Sequence, residues 1–156
     1  MRSILTLLFV LLSGPAFAKD PVLKSGFQEC ISQSIDANTP VIECVSEAHA
    51  QCTAYEPGSP AELVCYRSAK SEWGVLLKDL LASFSDQPED LQEVVRIEAK
   101  YTLLRNLMNC DLANELSLIG RDADPQDQLR HAKCEALASA ASLTEVLIKS
   151  GTVVRN

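Results

Sequence analysis

Apolar residues recur at three- and four-residue spacing over long stretches of this chain and do not alternate with polar ones, the pattern of amphipathic helices and not of half-buried strands. One stripe runs through Tyr66, Ala69, Trp73, Leu76, Leu77, Leu80 and Phe84. A second runs through Leu91, Val94, Ile97, Tyr101, Leu104 and Met108, and a third through Leu129, Ala132, Ala136, Ala140, Leu143 and Leu147. Each predicts a helix that turns that stripe toward a core. The small residues in the middle of the third stripe let a neighbouring helix approach closely.

Punctuation sharpens the boundaries. Asp20-Pro21, Thr39-Pro40, Ser59-Pro60, Gln87-Pro88 and Asp124-Pro125 each stand where a periodic segment opens. Proline is tolerated at the first helical position because that N–H has no intrahelical acceptor. Ser59-Pro60-Ala61-Glu62 fits a capping box, in which hydroxyl and carboxylate each meet a free backbone N–H. Gly120 and Gly151 supply stops. These signals predict five helices, near 21–36, 40–55, 60–84, 88–119 and 125–150, joined by loops short enough to set sequential helices antiparallel. The fold class is therefore all-α, an antiparallel helical bundle.

The first 18 residues differ from the rest. Arg2, a nine-residue apolar run from Ile4 to Leu12, and the small residues Ala16 and Ala18 form the pattern of a cleaved signal peptide, too short to span a bilayer. Residues 1–18 are thus expected to be removed, leaving 19–156 as a single domain that starts at Lys19, with no cysteine at its new N-terminus to carry a lipid. The full chain has 14 Lys+Arg and 21 Asp+Glu, a net charge of -7; loss of Arg2 makes the mature chain about -8. Such acidity excludes a phosphate-tracking nucleic-acid binder.

Export changes the meaning of the cysteines. Cys30, Cys44, Cys52, Cys65, Cys110 and Cys134 are an even set in an oxidising compartment, which predicts three disulfides. Cys44 and Cys52 sit in one predicted helix, roughly 12 Å apart along its axis, too far to bond. Matching heights across hairpins favours Cys30 with Cys44, Cys52 with Cys65, and Cys110 with Cys134. The runner-up joins Cys65 to Cys110 and Cys52 to Cys134. A competing reading takes His49, Cys52, His131 and Cys134 as a His2Cys2 zinc site, because both His-x-x-Cys pairs lie on one helical face. Disulfides are favoured over it, and no metal or other cofactor is expected.

Other chemistry is thin. Glu43, Glu47, Asp79, Glu89, Asp90, Glu93, Glu98, Asp111, Glu115, Asp122, Asp124 and Asp127 could in principle furnish a carboxylate pair, but acidic amphipathic helices offer such pairs by default. No nucleophile elbow, zinc-protease motif or phosphate loop is present. The chain reads as non-enzymatic.

The layout as a whole has a recognisable form: a leading Cys30/Cys44 pair, Cys52-x12-Cys65, Trp73 eight residues on, Tyr101 and Arg105-Asn106 before Cys110, and a final Cys134. Over roughly residues 27–148 it resembles the LprI-type lysozyme-inhibitor-like family of small helical proteins of the bacterial envelope, in a variant with an added cysteine pair. Leu77-Lys78 stands where that family has Leu-Asn, and Asn106 replaces its Asp. The resemblance implies a periplasmic or secreted inhibitor of a cationic partner such as lysozyme. Acidity would speed that encounter, and the loop Leu118 to Asp127, with Arg121, Asp122 and Asp124, is the expected projecting element. The alternative is an envelope interaction or structural protein that offers an apolar helix face and inhibits nothing.

Overall fold

Six helices are formed in the computed structural model, which describes residues 26–151: α1 Phe27–Asp36, α2 Ile42–Ala48, α3 Ala50–Thr53, α4 Pro60–Ala82, α5 Glu89–Ser117 and α6 Pro125–Lys149. The expected signal peptide, the helix start at Pro21 and the tail after Gly151 lie outside the described residues. None of the described helices is long and apolar enough to cross a membrane.

Local chemistry explains the starts. Ser59 caps α4 by accepting from the Glu62 N–H at 3.2 Å, with Pro60 next in line. The capping box is not closed on Ser59, because the Glu62 carboxylate reaches one residue further back, to the Gly58 N–H at 2.7 Å. A complete box opens α6 instead: Asp124 accepts from the Asp127 N–H at 2.9 Å and Asp127 accepts from the Asp124 N–H at 2.8 Å. Pro88 is the cap of α5 and not its first residue, and Pro40 lies ahead of the cap of α2.

The helix expected over 40–55 is broken in two at His49. Its imidazole Nδ1 takes the Val45 carbonyl at 2.7 Å, the acceptor that the His49 backbone N–H would use in a continuous helix. That N–H turns to Ser46 O at 3.2 Å instead. Competition of this kind between a side chain and its own backbone ends a helix. The ring then points inward, where the Trp73 Nε1–H donates to its Nε2 at 3.0 Å, so the neutral ring carries its proton on Nδ1. Phe27 meets Trp73 edge-on, with ring centroids 4.5 Å apart. Trp73 is 1% exposed and lies at the centre of the core with Tyr66, Ile31 and Val45.

Burial holds His49 below its usual imidazole pKa. In the unfolded chain the ring binds a proton from about pH 6.5 downward, whereas in the fold it stays neutral to lower pH. The stability it supports is therefore complete above about pH 6.5 and drains away as pH falls toward the lowered folded value. Thermal melts from pH 7 to pH 5 should show the parent losing more stability than His49→Phe, which has no proton to take up. Parallel losses in the two proteins would show that His49 does not titrate this way.

All six cysteines are paired as Cys30–Cys44, Cys52–Cys65 and Cys110–Cys134, with Cα separations of 5.8, 5.4 and 5.7 Å, so the sequential pairing holds and the runner-up does not. The zinc reading falls with it. Cys52 and Cys134 are in different disulfides, His49 is in the core, and His131 lies between α5 and α6 with its Nε2 2.9 Å from Asp111.

Packing departs from a simple up-and-down order. α6 lies between α4 and α5 and packs along both, while α4 and α5 touch only briefly. Tyr66 faces Lys133 and Lys70 pairs with Glu135, so residue numbers rise together and α4 and α6 run parallel. Arg105–Glu145, Asn106–Ser142 and Asp111–His131 run in opposite senses, so α5 and α6 are antiparallel. The predicted stripe of α6 is buried throughout, with Ala136 and Ala140 fully enclosed between the two flanking helices. The stripe of α4 is buried except for Leu76, and Phe84 packs in just past its end.

Candidate interaction face

The stripe expected to turn α5 into the core points the other way. Leu91, Val94, Ile97, Tyr101, Leu104 and Met108 are all exposed, and Leu112, Leu116 and Ile119 continue the same line. Tyr101 and Ile119 are 74% exposed and Met108 65%. The buried positions are Val95, Ala99, Thr102 and Cys110, on the opposite side of the helix. The Cys110–Cys134 bond sets this rotation, since Cys110 must face α6 and a residue of the Tyr101 line lies about half a turn away from it. Polar contacts hold the setting: Arg105 Nη2 donates to Glu145 at 2.8 Å, Asn106 Nδ2 to the Ser142 hydroxyl at 3.0 Å, and Lys149 bridges Glu98 and Glu145. Beside its two cations, Glu145 is held below the usual carboxylate range and Lys149 above the usual ammonium range.

The result is an apolar face about 40 Å long, the length of α5 at 1.5 Å per residue. Its middle is formed by Ile97, Lys100, Tyr101, Leu104, Arg105, Met108 and Asn109, all of this one helix. Charge on α5 is acidic at both ends, with Glu89, Asp90 and Glu93 first and Asp111 and Glu115 last, and mixed in the middle, where Arg96, Lys100 and Arg105 stand with Glu98. A continuous apolar surface of this size is unusual on a protein that meets only water.

The loop singled out from the sequence has a different character. Arg121 makes a two-pronged contact with Asp127, Nη1 to Oδ2 at 2.7 Å and Nη2 to Oδ1 at 2.5 Å, and Arg130 pairs with the same carboxylate. The Arg121 hydrogen bonds and the Asp124 N–H hold Asp127 well below the usual carboxylate range, and Arg121 is raised in turn. Arg121 and Asp124 therefore anchor the start of α6, and both are exposed, as is Asp122. Asp127, taken from sequence as one carboxylate among many, is the buried centre of this network.

Asp111, His131 and Glu135 bring donor atoms within 4.8 Å of one another. Their geometry is accounted for by protein contacts, because the Lys70 ammonium sits on Glu135 and His131 is hydrogen-bonded to Asp111. These pairs join α4 to α6 and α6 to α5.

Fold and face together define a disulfide-braced all-α protein with one helix whose outer side is a line of exposed apolar residues. No protein-family model, curated protein or solved structure matches the chain.

Proposed function

We propose that this protein is an exported, non-enzymatic binding module, periplasmic or secreted after loss of residues 1–18, that engages a protein partner through the outer face of α5. The observation that carries this reading is the unbroken line of exposed apolar side chains from Leu91 to Ile119. Two further features support it. The three disulfides hold the scaffold rigid in an oxidising compartment, so docking costs little ordering entropy. The groups with chemical potential are engaged structurally: His49 and the Asp111/His131 pair join helices, and Asp127 holds the start of α6.

A photo-crosslinking residue at position 101 tests this in the producing cell, with the same residue at Lys78, an exposed position on α4, as the control. Adducts larger than the monomer from position 101 and not from position 78 support the reading. Absence of adducts from 101, 104 and 108 alike would overturn it.

A second reading, inhibition of lysozyme or a similar cationic cell-wall-active protein, draws on the acidity of the chain and on the LprI-type cysteine layout. It makes a different demand on conditions. Charge-steered inhibition of peptidoglycan lysis weakens as salt rises, whereas docking on an apolar helix face is nearly salt-independent.

A further inference from the structure

We propose that the occupant of the α5 face is a second copy of this chain, its α5 laid antiparallel across the first. The proposal rests on the reading of that face as a docking surface and names its partner.

The apolar line is self-complementary when turned end for end about a point between Leu104 and Arg105. Tyr101 then falls opposite Met108 of the second copy, Ile97 opposite Leu112, Val94 opposite Leu116, and Leu91 opposite Ile119, all exposed in the single chain. An antiparallel twofold places the same rim of the two helices on the same side. On that rim Lys100 comes beside Asp111 of the other copy, while Glu115 of the other copy comes between Arg96 and Glu93. A parallel pair would set Lys100 against Lys100 and Asp111 against Asp111. Arg105, which lies near the twofold, is already turned aside to Glu145 of its own chain at 2.8 Å.

Area points the same way. Nine large apolar side chains, from about two-fifths to three-quarters exposed, offer on the order of 800 Å² for burial, the share one partner contributes to a standard stable interface. The largest patch on an ordinary monomer is about 300–600 Å². A net charge of -7 on each chain opposes association, so the apolar centre has to outweigh that repulsion.

Sedimentation velocity on the oxidised mature protein across micromolar concentrations tests the proposal. The parent should pass from one to two chain masses as concentration rises. Leu104→Glu, which sets a carboxylate against its own copy at the axis, should weaken the dimer by about 100-fold or more while its helical circular dichroism is unchanged. Lys100→Glu should weaken it about tenfold, and adding Asp111→Lys to that variant should restore it. A single chain mass at every concentration would overturn the proposal, as would a dimer indifferent to Leu104→Glu or a double variant no tighter than Lys100→Glu. A purified monomer together with position-101 adducts to a different protein would overturn self-association and leave the docking face standing.

Discussion

Replacing Trp73 by alanine should lower the melting temperature of the oxidised protein by about 10–20 °C. Removing a fully buried ring costs about 3–5 kcal/mol, and a chain of this size loses roughly 3–5 °C per kcal/mol. Two contacts go with the ring: the edge-on packing of Phe27 and the indole N–H bonded to His49. Trp73→Phe separates them, since it keeps most of the packing and leaves a buried imidazole nitrogen without its donor, a loss of about 1–3 kcal/mol. Asp122→Ala, at an exposed loop position, should change stability by less than about 0.5 kcal/mol. Differential scanning calorimetry ranks the three, and an unchanged melting point for Trp73→Ala would mean that the ring is outside the core.

Reduction should have a larger effect still. The three disulfides close loops of 14, 13 and 24 residues that follow one another without overlap, so their effects on the unfolded chain are nearly independent. At about 3 kcal/mol each the loss is on the order of 9 kcal/mol, comparable with the whole stability of a domain, about 5–15 kcal/mol. The fully reduced protein is expected to lose its fold at 37 °C, read as loss of near-ultraviolet circular dichroism. The bonds differ in what they hold. Cys30–Cys44 and Cys52–Cys65 clip α1 to α2 and α3 to α4, whereas Cys110–Cys134 sets the rotation of α5 on α6. Selective loss of the third bond should therefore free α5 to roll its apolar line inward, with reduced crosslinking from position 101 as the sign.

The helices and their bracing were legible because their signals are local. Ser59-Pro60 and Asp124-Pro125 mark caps by hydrogen-bonding chemistry that acts within four residues, and each cysteine pair stands at matched distance from its turn. His49 was not legible as a break, because its reach back to Val45 depends on Trp73 receiving the other side of the ring from 24 residues away. The orientation of α5 escapes periodicity for a different reason. That helix has two apolar sides, and the larger residues are on the outer one; periodicity alone favours Leu, Ile, Tyr and Met over Val95, Ala99 and Thr102. The corrective signal was present in Cys110, which lies opposite the Tyr101 line and had to meet Cys134. Once a crosslink fixes which side of a helix faces inward, a second apolar line on that helix is surplus to the core, and surplus apolar surface is where binding is to be sought. The order α4, α6, α5 follows from the same cause, since the alanine-rich α6 can accept a neighbour on each side.

Whether the Tyr101 line is interface or core is decided by the melting of Tyr101→Gln/Leu104→Gln/Met108→Gln beside the parent over a range of protein concentrations. If the line is interface, the variant melts at a temperature independent of concentration and within about 3 °C of the parent at high dilution, where association contributes nothing. A fall at all concentrations as large as that of Trp73→Ala would place these three side chains in the core and not at an interface.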